Sequence, residues 1–166
     1  NKKTQVIAVY SPKGGTGKTT MSVHLAHELA RKGDKVLVVD MAQFGNVGAV
    51  LKLNMKGSGL SNILSYYEFA DEGLFSERCK VIKENIQEYS NELVSFDVII
   101  AALPLKMEEV KAEWMEIFFS VLDQTGYDTI VIDTSTEICI RNISIMSHAD
   151  VILTLIDQDV SSVWNY

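Results

Sequence analysis

The stretch Ser11-Pro12-Lys13-Gly14-Gly15-Thr16-Gly17-Lys18-Thr19-Thr20 stands directly after the apolar run Val6 to Val9 and directly before a segment with helical spacing. A strand, a glycine-rich loop and a helix in that order make a phosphate-binding loop. Successive backbone N–H groups turn inward as an anion-binding nest, and the helix adds its positive N-terminal end. Glycine is needed where a Cβ would crowd phosphate oxygens or forbid a positive φ. On this reading Gly14, Gly15, Thr16, Gly17 and Thr20 belong to the cradle. Lys18 neutralises the β and γ phosphates and the Thr19 hydroxyl goes to Mg²⁺, so ATP and Mg²⁺ are the expected cofactors.

Short apolar runs recur at Val6 to Val9, Val36 to Val39, Val98 to Ala101, Ile130 to Ile132 and Val151 to Ile156. Without polar alternation, such runs suit parallel strands covered on both faces. Helical patterns lie between them. Lys18 to Lys32 carries Leu25 and Leu29 and is stopped by Gly33. Leu60 to Phe69 reads as a helix, and Cys79 to Leu93 fits either a helix or an irregular edge. From Lys106 to Gln124 the residues Met107, Val110, Trp114, Ile117, Phe118, Val121 and Leu122 mark one face of a single helix packed on the sheet. The expected fold class is α/β, a doubly wound, mostly parallel sheet with helices on both faces. At 166 residues and 47% hydrophobic, one nucleotide-binding domain over residues 1–166 is expected. Its C-terminal elements, including adenine-reading residues, are expected beyond Tyr166.

A Mg²⁺-nucleotide site needs carboxylates at the carboxyl ends of neighbouring strands, where they face the phosphates. Asp40 ends the second apolar run and Asp133 the fourth. Together with Thr19 they are the expected metal-binding set.

The early lysine in Lys13-Gly14-Gly15-Thr16-Gly17-Lys18-Thr19 resembles the deviant Walker A motif of the MinD/ParA family, and the resemblance spans essentially the whole chain. It implies a P-loop ATPase that dimerises on ATP, with Lys13 reaching the partner's nucleotide. It also implies catalytic roles for Lys13, Lys18 and Asp40, with Asp133-Thr134-Ser135-Thr136 resembling the Walker B strand and second switch. The family's first switch usually carries Asp-x-Asp, whereas this chain reads Asp40-Met41-Ala42. A methyl group can neither take a proton nor hold a water, so slow or absent hydrolysis is expected, with Gln43 as a weaker water-positioning group. The phrases Gln43-Phe44-Gly45-Asn46-Val47 and Ala101-Ala102-Leu103-Pro104-Leu105-Lys106-Met107-Glu108-Glu109 resemble the TadZ/CpaE branch. That branch implies a protein partner in pilus assembly, secretion or cell positioning. A MinD-like positioning protein, a ParA-type DNA-segregation ATPase and a metabolic enzyme on the same fold are the alternatives.

Composition narrows these classes. Fifteen Lys plus Arg against 22 Asp plus Glu leave a formal net charge of −7, which gives no general attraction to nucleic acid or anionic membrane. Cys79 and Cys139 are too far apart for a zinc ribbon or disulfide framework. Cys139 also lacks the flanking glycines of the iron-sulfur relatives. His24 and His27 have no evident third metal ligand, and the charges from Glu77 to Glu92 read as a solvated face. A cytoplasmic protein is expected, brought to a pole or membrane through partners.

Overall fold

The computed structural model describes residues 3–13, 17–56, 59–69 and 74–156. The chain runs β1 (Gln5–Tyr10), α1 (Lys18–Arg31), β2 (Val36–Asp40), α2 (Val47–Val50), α3 (Leu60–Phe69), α4 (Phe75–Glu84), β3 (Gln87–Ser90), β4 (Ser95–Ile99), α5 (Pro104–Glu108), α6 (Ala112–Leu122), β5 (Thr129–Asp133), α7 (Ile140–His148) and β6 (Val151–Thr154). The strands form one sheet in the order β3-β4-β2-β5-β1-β6. All pairings are parallel except β3 with β4, an antiparallel hairpin at one edge.

The apolar runs have no polar alternation because each face of the sheet carries a helical layer. Ala8, Leu37, Val39, Ile130 and Ile132 point into a core completed by α3, α4, α6 and α7. Their chain neighbours Val9, Val36, Val38 and Val131 point to the opposite face, where α1 packs with Val23, Leu25, Ala26 and Leu29. Period two therefore survives as an alternation between two cores. The sheet is doubly wound as expected, and β2 and β5, at its centre, are buried along their whole lengths.

Four expectations change. The helix expected from Lys106 to Gln124 is two helices, α5 and α6, broken at Glu109, Val110 and Lys111. At the break, the Met107 carbonyl, which a continuous helix would pair with the Lys111 N–H, accepts Nη1 of buried Arg141 at 2.9 Å. The apolar stripe survives the break, with Met107, Val110, Trp114, Phe118, Val121 and Leu122 all buried. The segment from Cys79 to Leu93 holds both a helix end and an edge strand. The run at Val98 belongs to a strand that ends at Ile99, not Ala101. Finally, β6 stops at Thr154, and Val151 and Ile152 are 42% and 46% exposed; among the described residues β6 is the outer strand and pairs only with β1.

Candidate nucleotide site

The carboxyl ends of β1, β2 and β5 lie side by side, and each passes into a loop that bears expected site residues. From β1 the chain enters the glycine-rich loop. Buried Ser11 turns back there, its hydroxyl donating to the Lys13 carbonyl at 2.7 Å. Gly14, Gly15 and Thr16 lie outside the described residues. Gly17 caps α1 at φ +80° with open space around its α-carbon, so glycine is required there for its backbone conformation. Lys18 and Thr19 are half-buried in the first turn of α1, while Lys13 and Thr20 are exposed.

Asp133 is the fixed point of this arrangement. It is fully buried at the end of β5. Its carboxylate accepts the Thr19 hydroxyl at 2.8 Å and the Ser22 hydroxyl at 3.0 Å. One turn of α1 separates those two residues, so the helix presents both hydroxyls to one carboxylate. Burial raises the Asp133 carboxyl above its ordinary range, against the pull of Thr19, Ser22 and the nearby Lys18 charge.

Asp40, its register partner on β2, is equally buried. Its oxygens accept the backbone N–H groups of Ala42 and Val47, both at 3.1 Å. This folds the intervening loop over the carboxylate and satisfies an amide at the start of α2. Gly45 is the closest point of that fold. A Cβ there would lie 2.4 Å from Asp40 Oδ2 and 2.3 Å from Ala101 Cβ. Burial pushes the Asp40 carboxyl up to about 7, and the neighbouring Asp133 charge adds to the shift; the Val47, Ala42 and Asn46 amides oppose it.

Two buried carboxylates on adjacent strands, both held above their ordinary range, are negative charge that a cation would neutralise. With the Thr19 hydroxyl they form an all-oxygen donor set. That suits Mg²⁺, which is held by few protein ligands alongside phosphates and water. The residues present therefore fit Mg²⁺ with a polyphosphate. His24 is exposed and His27 half-buried beside Glu28. Among the described residues no group of three or more His, Cys, Asp or Glu could hold a metal.

Gln43 is half-buried, its amide donating to Glu108 on α5 at 2.7 Å. Ala42 is half-buried at the expected switch position.

Two groups of residues were missed by sequence reasoning. Ser22 carried a faint signal, being one turn from Thr19 on the buried side of an otherwise ordinary helix. The second group, Glu137, Arg141 and Asn142, carried none; they gather on Ser135 of the expected second switch. Arg141 Nη2 donates to Ser135 Oγ and Glu137 Oε1, both at 2.8 Å, and Asn142 Nδ2 donates to the Ser135 and Glu137 carbonyls. The loop after Asp133 is thereby clamped to α7.

Among the described residues no helix is long and apolar enough to cross a membrane. A family described as AAA domain matches residues 4–163. The septum site-determining protein MinD of Helicobacter pylori is 29% identical over 160 residues, which is 95% of this chain and 54% of that protein. The chromosome-partitioning ATPase Soj of Thermus thermophilus is 30% identical over 131 residues, 79% of this chain and 46% of that protein. Among solved structures, MinD of Pyrococcus horikoshii complexed with Mg-ADP superposes with a TM-score of 0.71 at 23% identity, covering 98% of this chain and 61% of that one. This last likeness is one of fold. The chain spans about half the length of the curated relatives it matches. With strand-end carboxylates paired beside the first turn of α1 in a doubly wound sheet, the chain belongs to this AAA domain family and has the P-loop fold of the MinD and Soj proteins it is similar to.

Proposed function

We propose that the chain binds Mg-ATP at the loop of residues 11–20 and acts as a nucleotide-dependent dimerising switch that hydrolyses slowly or not at all. One observation carries the reading: Asp133, fully buried, gathers the Thr19 and Ser22 hydroxyls at the mouth of α1. The site is thus organised around an oxygen donor that belongs beside a metal-bound phosphate. Mg²⁺, when bound, neutralises phosphate charge. The backbone from Gly14 to Thr20, with Lys18, orients the phosphates, and Thr19, Asp40 and Asp133 hold the metal's side of the site. The Mg-ADP held by the Pyrococcus relative supports this choice of ligand.

Slow hydrolysis rests on Ala42, which offers no proton acceptor, and on Gln43, whose amide is engaged by Glu108. Dimerisation rests on Lys13, an exposed residue of the loop, which in the proposed dimer contacts the partner subunit's nucleotide. ATP that touches both subunits favours the dimer by its differential affinity for that state. The partner is a protein of a positioning, pilus or secretion system. The likeness to MinD supports positioning, and the phrases at 43–47 and 101–109 support the pilus and secretion branch. The cytoplasm is the proposed location, with any pole or membrane reached through that partner. A DNA-segregation role is the second reading, favoured by the name of the Thermus relative and opposed by the net charge of −7.

The test is molecular mass in solution with ATP, ADP and no nucleotide, for wild type and Lys13→Ala. Doubling of mass with ATP alone, lost in Lys13→Ala, supports the switch. A nucleotide-binding protein whose mass ignores ATP overturns it.

A further inference from the structure

The loops that follow Asp40 and Asp133 are both linked to the five-residue helix α5, the first directly and the second through Arg141 of α7. On one side Gln43 donates to Glu108 Oε1 at 2.7 Å, three residues beyond Asp40. On the other, Arg141 joins Ser135 and Glu137, two and four residues beyond Asp133, to the Met107 carbonyl. Arg141 is 96% buried, by its 4% exposure, and its Nε has no partner. A cavity of about 370 Å³ lies among these contacts, lined by Gln43, Met107, Glu108, Glu137 and Arg141 among others. The loops are therefore joined to α5 by a few directed hydrogen bonds around open space. Met107 also anchors α5 in the core, and Leu103 and Lys106 tie it to Ser61 and Glu68 of α3; the bonds through Glu108 and Arg141 add links to the two loops.

We propose that Arg141 and Glu108 are positioning residues that couple both loops of the nucleotide site to α5, so that the state of the site is read out at residues 103–110. Arg141 meets the Met107 carbonyl at the C-terminal end of α5, where the chain breaks before α6. The outer residues of α5, Leu103 and Leu105, are exposed. In its nucleotide response the inference rests on the Mg-ATP reading above; the coupling of the loops to α5 is also present without nucleotide.

Hydrogen–deuterium exchange tests both parts on wild type, Glu108→Ala, Glu108→Gln and Arg141→Lys. Without nucleotide, Glu108→Ala should speed exchange in 41–47 and 103–110 by about threefold or more at an unchanged melting temperature, because Glu108 is a surface side chain. Glu108→Gln keeps an acceptor oxygen and should restore the wild-type pattern. Arg141→Lys keeps the charge but loses the planar fork, and should loosen 134–139 together with 103–110. With Mg-ATP, wild type should gain protection in 41–47, 134–139 and 103–110, and Glu108→Ala should lose the gain in 103–110 while still binding nucleotide. If both Glu108 variants exchange like wild type in all three segments, the coupling is overturned, whether or not Arg141→Lys folds. If wild type binds no Mg-ATP, the nucleotide reading fails separately and the nucleotide-free arm still decides the coupling.

Discussion

Asp40 and Asp133 are register partners at the carboxyl ends of β2 and β5, and both are fully buried. Their proximity makes the nucleotide-free protein sensitive to pH. An unfolded aspartate titrates near about 3.9, whereas burial and the Asp133 charge push folded Asp40 up to about 7. Between those values the folded state holds the extra proton. Its stabilising contribution is therefore complete below about pH 4 and is lost as pH rises through about 7. Thermal melts between about pH 5 and about pH 8 should show wild type losing stability relative to Asp40→Asn as pH rises. A constant difference across that range would contradict the placement of Asp40.

Gly45 should not tolerate a side chain. The Cβ of Gly45→Ala would meet Asp40 Oδ2 at 2.4 Å and Ala101 Cβ at 2.3 Å, so the loop must shift and the Ala42 and Val47 amides lose their acceptor. A loss of about 1–3 kcal/mol is expected in urea denaturation. Gly126→Ala is the control. Its site is open but has φ +82°, so only backbone strain of about 1 kcal/mol should appear.

Ser22→Ala removes one of two hydroxyls that satisfy the buried Asp133 carboxylate. The expected cost is about 1–3 kcal/mol, larger at high pH, which favours the charged acceptor, than in acid. Chemical denaturation at two pH values checks both the size and the sign.

Ala42→Asp restores a carboxylate where the sequence has a methyl group. If the lost acceptor limits turnover, phosphate release should rise by about 10-fold or more, with nucleotide affinity little changed. An unchanged rate would place the limit elsewhere.

Local chemistry made most of the fold legible. β1, β2 and β5 were readable as short apolar runs, because strands covered on both faces have no polar side to confuse with loops. α1 announced its end through Gly33, which adopts φ +103°. β3 was not readable: Gln87-Glu88-Tyr89-Ser90 carries no apolar run, since as an outer antiparallel strand it alternates between half-buried and exposed. The break before α6 was invisible for another reason. The Arg141 contact at that break comes from 34 residues away in the chain. The candidate site divides the same way. The phosphate loop and both aspartates are contiguous motifs, while the Gln43–Glu108 and Arg141–Met107 contacts exist only once the loops are folded together.

The most direct test is calorimetric titration of the full-length protein with Mg-ATP, set beside ATP in EDTA and beside Lys18→Ala and Asp133→Asn. Saturable binding with Kd of about 1 mM or tighter, weakened by about 10-fold or more in EDTA and in each variant, is the expected result. A folded, full-length wild type that gives no binding signal at millimolar Mg-ATP, or variants that bind as tightly as wild type, would contradict a nucleotide site built on the glycine-rich loop and Asp133.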